Sequence, residues 1–313
     1  MKIKRLWITI IGLIAAICLY SLIPVLLLYI KPNPPVVLNA QAIEKLSGNK
    51  GELFGFIVFG DDHAGLILDD SAAIKIISRM NRESRFKKMP IDFLLSTGDI
   101  SFRGSAWDFR MWNKLKSLSR YPVISAMGNH DNDKDEFTSK RFKEFNGEKE
   151  FSFIDRNSFF IVMDNTQGEL TEKQFVRLEE DLKASEQYKH RFITMHKSPI
   201  SPYQQSWYRP ELSPWALRFM KMCEKYKVDM VFAGHEHMSK QMTFGGVRYM
   251  VSGGGGIITN VPTWDGGFLH YTVVRVCGDY VDFEIRKVFP PVWEYFAYYL
   301  WKDMFYFLKD VLF

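Results

Sequence analysis

"VDMVFAGHEHMSK", residues 228–240, holds the reading that decides the fold. Val228 to Ala233 is a short, largely apolar run, which reads as a buried strand. It ends in Gly234, and His235 and His237 then bracket Glu236. Outward from this stretch the same ending recurs. "LFGFIVFGDDH" (53–63) closes on Asp61, Asp62 and His63, and "IDFLLSTGD" (91–99) closes on Asp99. "YPVISAMGNHD" (121–131) ends in Asn129, His130 and Asp131, and "RFITMH" (191–196) ends in His196. Five of the seven histidines lie in these strings, with His190 and His270 outside them. A single histidine at a strand end is most simply a hydrogen-bonded structural residue. Five such endings in order point to one metal-binding constellation.

The intervening stretches read as helices over 71–82, 105–119, 171–184 and 214–226. Hairpins are expected to turn at 155–158, at Gly245-Gly246 and at Gly278-Asp279. Strands alternating with helices, then hairpins, predict a layered α/β domain of two facing sheets with helices outside. Ligands in such folds sit beyond the carboxyl ends of the strands, where the polar residues collect.

Four segments are expected along the 313 residues. Residues 1–30 are a cytoplasmic tip and transmembrane anchor, and 31–50, with the stiff "KPNPP", a linker. Residues 51–288 form the α/β domain, and 289–313 an aromatic amphipathic tail. The anchor is read from 6–30, which carries no charge and is long enough to span a bilayer. A cleaved leader fits less well, because the "AQA" at 40–42 lies far beyond the apolar run. Lys2, Lys4 and Arg5 precede the run, so the positive-inside rule puts the N-terminus in the cytoplasm and the domain outside it. Those three residues supply much of the net charge of +5, so no nucleic-acid polymer is expected as a partner. In 292–313, Glu294, Lys302, Asp303, Lys309 and Asp310 fall within about half of a helix circumference at 100° per residue, with aromatic residues opposite. That pattern fits a helix in the membrane interface or one capping the core. The lipid bilayer is thus an expected partner through 6–30 and, in the first reading, through 292–313.

Imidazole and carboxylate without thiolate suit zinc, iron or manganese; the three cysteines have no ligand spacing. Two such ions can activate a water and stabilise displacement at phosphorus. The ordered strings "GDDH", "TGDIS", "GNHD", "MHKSP" and "GHEH" resemble the calcineurin-like metallophosphoesterase superfamily over residues 53 to about 288. The resemblance implies a four-layer αββα sandwich of two mixed sheets and two divalent metal ions, Mn, Zn or Fe. It implies that Asp61, His63 and His237 hold the first ion, that Asp99 bridges, and that Asn129, His196 and His235 hold the second. It further implies that His130 binds neither ion but faces the substrate, protonating the leaving oxygen or stabilising its charge, and that Asp131 orients His130. Purple acid phosphatases, a branch of that superfamily, have a tyrosine three residues after the bridging Asp. Here that residue is Phe102, which disfavours a tyrosinate-bound ferric ion.

Arg103, Lys197 and Arg209 are candidates to meet substrate phosphate, with Asn129 beside them, and Tyr203 and Trp207 to line a pocket. The expected function is a membrane-anchored dinuclear phosphoesterase acting on a phosphomonoester or phosphodiester, lipid-linked in one version. Its rivals are a soluble-substrate (cyclic) nucleotide phosphodiesterase and a non-catalytic membrane scaffold, the last disfavoured by the intact ligand set.

Overall fold

A computed structural model describes residues 2–83, 89–133, 138–202, 213–290, 295 and 299–312. The strands are β1 (Leu53–Phe59), β2 (Ile91–Ser96), β3 (Val123–Ser125), β4 (Phe151–Asp155), β5 (Ser158–Val162), β6 (His190–Thr194), β7 (Met230–Ala233), β8 (Ser239–Phe244), β9 (Val247–Ser252), β10 (His270–Cys277) and β11 (Tyr280–Lys287). One sheet has the order β11-β10-β1-β2-β3, the other β4-β5-β6-β7-β9-β8. Both are mixed: β1, β2 and β3 run parallel, as do β5, β6, β7 and β9, with antiparallel partners at the edges.

Alternation along β1 shows how the layers arise. Phe54, Phe56 and Val58 enter the core between the sheets. Ile57 and Phe59 face the opposite way, into the core beneath the helices. Period two is what a strand buried on both faces imposes. Phe56 is the hub between the sheets, with ring centroids 5.2 Å from Phe93 on its own sheet and 5.2, 5.1 and 5.8 Å from Phe160, Phe192 and Phe232 on the other. The first sheet's outer face is covered by α3 (Ile67–Met80) and α4 (Ala106–Lys116), and the second's by α6 (Glu172–Ala184) and α7 (Pro214–Lys225). Helix α4 starts in a capping box with Ser105, and α6 in one with Thr171. The short α5 (Lys140–Asn146) follows β3.

One stretch departs from expectation. Part of the expected linker folds as α2 (Asn39–Glu44) and belongs to the domain. Asn39 exchanges two hydrogen bonds with the backbone of Ser125, at the free edge of β3. Ala42 and Leu46 enter the inter-sheet core. Sequence shows the prolines but not that an asparagine stands in for a missing strand.

The C-terminal segment forms α8 (Leu300–Leu312). Lys302 and Asp303 on it turn toward the domain, and the side chains of Lys309 and Asp310 lie outside the described residues. Lys302 is buried, with Nζ donating to Thr259 Oγ1 at 2.8 Å and Gly267 O at 2.7 Å. Asp303 accepts from the Thr263 backbone N–H at 2.9 Å and from its hydroxyl at 2.5 Å. Leu300, Trp301, Met304, Phe305 and Phe307 are exposed. Tyr299, just before it, does join the core beneath α3 and α4. Glu294 lies outside the described residues.

Helix α1 (Lys2–Ile30) docks by its last turns. Val25 and Leu28 are buried, and the Tyr29 hydroxyl donates to Asp70 at 2.6 Å. Lys114 donates to Tyr29 O at 2.9 Å, and the Tyr29 ring stands edge-on to Trp107. Ile11, Leu13, Leu19 and Tyr20 are exposed. Among the described residues no helix is long and apolar enough to cross a membrane. The span read over 6–30 is therefore an expectation from its uncharged sequence alone. Cys223 is a buried free thiol and Cys277 an exposed one.

His270 on β10 gives the fold an acid sensitivity apart from the ligand cluster. Its ring is fully buried, Nδ1 donates to Phe268 O at 2.9 Å, and burial pushes its pKa down to about 4. The unfolded chain takes up this proton near pH 6.5, the folded chain only near 4. Stability is therefore lost as pH falls through that window, by about 3 kcal/mol at its lower end. His270→Asn, which keeps a donor and cannot titrate, is expected to flatten the pH dependence of the denaturant midpoint between pH 7 and 4. Parallel curves for the two proteins would refute this assignment.

Candidate metal centre

The ends of β1, β2 and β3 in one sheet and of β6 and β7 in the other open on the same edge. They bring three overlapping groups together. Asp61, His63 and His237 form one, His63, Asp99 and His130 a second, and Asp99, His196 and His235 a third, each with ligand atoms within 4.8 Å of one another. Asp99 Oδ2 lies 3.6 Å from His63 Nε2 and 3.1 Å from His196 Nε2. Asn129 Oδ1 lies 3.1 Å from His196 Nε2. The residues that the sequence marked as ligands thus share one cleft, with Asp99 between the two sides.

The backbone is strained to make this cleft. Of the six non-glycine residues at positive φ among those described, four are Asp61, His63, Asp99 and His235. Such conformations cost about 1–3 kcal/mol each and persist where surrounding contacts enforce them. The contacts are present: His235 N–H donates to both oxygens of Asp61, at 3.0 and 3.1 Å, and His130 N–H donates to Asp99 Oδ1 at 2.8 Å. Glycine is required at two approaches. A Cβ on Gly128 would collide with Asp99, and one on Gly234 with Asp61.

Electrostatics suit a cation site. Burial drives the Asp61 carboxyl upward. Burial also opposes charge on Asp99, but His196 and His63 beside it hold its carboxyl well below the usual range. Burial, with neighbouring imidazoles adding to it, lowers His235 to about 4 and His237 to about 3, so both are neutral lone-pair donors at physiological pH. Both nitrogens of His63 are buried without a hydrogen-bond partner. An orphaned buried imidazole is costly unless something binds it. The oxygen and nitrogen donor set fits zinc, manganese or iron.

His130 differs from expectation in its support. Its Nδ1 lies 2.7 Å from Phe102 O, so a backbone carbonyl orients the ring. Asp131, expected in that role, is fully buried and accepts instead from the N–H groups of Ile100, Ser101 and Gly128 and from the Ser101 hydroxyl. It ties the loop after β2 to the loop after β3, and so sets His130 only through the chain. Lys197 stands close enough to depress His235 further. Arg103 lies over the Phe102 ring, 4.6 Å from its centroid. Tyr203, Trp207 and Arg209 lie outside the described residues.

Sequence reading missed two supporting groups. Thr97 O faces His196 Nδ1 at 3.0 Å, and Asn165 Oδ1 accepts from the N–H groups of His196 and Lys197. Asn165 follows β5 by the same strand-end rule, but without a histidine to mark it.

Because Asp99 stands on both sides of the cleft, Asp99→Asn is expected to lower bound metal from about two ions per chain toward one or none, and to abolish turnover. Metal analysis of the purified variant reads this. Two tightly held ions with full turnover would sink the assignment.

A family model described as calcineurin-like phosphoesterase matches residues 54–239. Among curated proteins, the chain is 29% identical over 171 residues to a probable cyclic nucleotide phosphodiesterase of Vesicomyosocius okutanii subsp. Calyptogena okutanii (strain HA). That alignment covers 53% of this chain and 70% of the other. Among solved structures it is similar to purple acid phosphatase PPD1 from yellow lupin (Lupinus luteus) seeds, with TM-score 0.57 and 13% identity. The match covers 76% of this chain and 52% of the phosphatase, so the chain spans about half of that protein's length. It is also similar to GAP50, the anchor in the inner membrane complex of Plasmodium, with TM-score 0.58, 13% identity and coverage of 76% and 85%. At such identities these structures show a shared fold. The family match runs along the very strands that carry the ligands and takes in more than half of the residues, so this chain belongs to the calcineurin-like phosphoesterase family.

Proposed function

We propose that this chain, a metal-dependent phosphoester hydrolase by family, works with two divalent ions on a phosphoester presented at a membrane surface. The observation that carries the dinuclear reading is the shared Asp99, which faces His63 on one side and His196 on the other. Asp61, His63 and His237 would hold one ion, Asn129, His196 and His235 the second, with Asp99 common to both. Bound there, the ions supply an activated water and neutralise charge on the phosphoryl oxygens. The chain's own residues do the rest. His130 gives its Nδ1–H to Phe102 O, so Nε2 is the nitrogen left to carry a proton to the leaving oxygen. Asp131 holds the loop that sets this geometry. Lys197 and Arg103 would supply positive charge that attracts an anionic substrate.

The membrane reading is supported by two features. Residues 6–30 are uncharged, and the side chains described on that stretch upstream of Val25 are mostly exposed. Helix α8 points Lys302 and Asp303 at the domain and Trp301, Phe305 and Phe307 outward, the reverse of a helix packed on a core and the arrangement of one lying in a bilayer interface. Leu28 of α1 and Tyr299 beside α8 enter the same core cluster, so both elements leave the domain from one helical layer. In this reading the N-terminus is cytoplasmic and the domain extracytoplasmic. A second reading, hydrolysis of a soluble cyclic nucleotide, is favoured by the name of the curated relative.

The full chain in lipid nanodiscs, supplied with manganese, zinc or ferrous iron, should hydrolyse phosphoesters only with metal. Trp301→Gln combined with Phe305→Gln should slow hydrolysis of a vesicle-borne phosphoester while leaving a soluble nitrophenyl phosphodiester unaffected. Equal rates on both would remove the lipid-surface reading, and preference for a cyclic nucleotide would establish the second. His130→Ala should lower turnover roughly 10²–10⁴-fold, and less for a nitrophenolate leaving group, which needs no proton. Equal losses for good and poor leaving groups would take His130 out of that role.

A further inference from the structure

Asn260 closes on His237 from outside the ligand cluster. Its backbone N–H donates to His237 O at 3.3 Å, and its amide nitrogen stands 3.3 Å from His237 Nδ1. The other ring nitrogen, Nε2, faces Asp61 Oδ1 at 3.7 Å and is the atom turned toward the metal centre. A ring nitrogen that binds a cation carries no hydrogen, so the neutral ring then keeps its proton on Nδ1. That N–H needs an acceptor, and an amide nitrogen is not one. Turning the Asn260 amide by 180° about its last bond exchanges nitrogen for oxygen in the same place. An acceptor then faces Nδ1–H.

The loop that carries Asn260 is pinned by α8. The Tyr306 hydroxyl donates to Asn260 O at 2.7 Å, and Lys302 Nζ to Thr259 Oγ1 at 2.8 Å. His196 and His130 are set by backbone carbonyls of strand-end loops, Thr97 O and Phe102 O. His237 is set by a side chain on a loop that the C-terminal helix holds. We propose that Asn260 is a positioning residue which keeps His237 in its metal-binding tautomer, and that Tyr306 of α8 keeps Asn260 in place. The C-terminal helix is thereby part of the metal centre's support. Outer partners of this kind commonly change metal affinity by about 10–100-fold when removed.

The inference rests on the metal-site reading, and the experiment separates the two. Full-length protein stripped of metal is titrated with cobalt(II) against a competing chelator. Asn260→Ala should weaken one of the two ions by about 10–100-fold and leave the other near its original affinity. Asn260→Asp, which keeps an acceptor, should retain tight binding. Tyr306→Phe should show a smaller loss, about two- to tenfold, for a single hydrogen bond. In the cobalt-loaded protein the exchangeable Nδ1–H of His237 should give a paramagnetically shifted proton resonance in the wild type and in Asn260→Asp. It should vanish by solvent exchange in Asn260→Ala. Two ions bound as tightly by Asn260→Ala as by the wild type, or Asn260→Asp falling as far as Asn260→Ala, would overturn the role of Asn260. Failure of the wild type to bind cobalt at all would overturn the metal site and this inference with it.

Discussion

The hydrogen bond between His196 Nδ1 and Thr97 O crosses from one sheet to the other. So do the two from His235 N–H to the Asp61 carboxylate. Ligands come from both sheets, so neither sheet alone contains a site. Everything chemical here depends on holding two sheets at one spacing and one offset. The phenylalanine cluster around Phe56 does this from within, since close-packed rings resist sliding. The polar bonds do it from the rim. The aromatic interior and the metal centre are therefore one piece of engineering, with register set in the first and used in the second.

Strain at the ligands follows from the same demand. Asp61, His63, Asp99 and His235 sit in a backbone region that most side chains avoid. A chain leaving a strand in its ordinary direction would carry these groups away from one another. The left-handed turns bring them back across the sheet edge, and the burial of the surrounding strands holds that geometry.

Much of this was legible in the sequence because strand, glycine and polar tip are contiguous. Local pattern reaches from Val228 to His237, or from Leu53 to His63, and the hairpins at 155–158, 245–246 and 278–279 announce themselves by turn residues. Partnerships made across the fold were not legible. Asn39 pairs with Ser125 over 86 positions, and Asn165 steadies His196 over 31. An isolated asparagine has no local signature that separates a surface residue from a strut. Asp131 shows the opposite hazard. Its place beside His130 invited a direct role, yet its oxygens are taken up by backbone N–H groups of the neighbouring loops. Which way α8 faces was ambiguous for a third reason. A two-sided helix has the same periodicity whichever side meets the domain, and only the sockets for Lys302 and Asp303 decide it.

The junction below the domain has a consequence for how substrate is met. Tyr29, Leu28 and Val25 fix the end of α1 against α3 and α4, and Asn113 grips Pro34 O just beyond it. Under the proposal that α1 is a membrane anchor, no slack tether would join lipid and protein. The cleft would then ride at one height and one tilt, like a lamp on a fixed bracket. It would not sweep a volume in search of its target. Encounter would become a two-dimensional problem, in which molecules gliding in the leaflet would be met far more often than those tumbling in the fluid above. Removing the contacts of Val25, Leu28 and Tyr29 while lengthening the chain between Ile30 and Asn39 would turn the bracket into a leash and exchange one kind of search for the other.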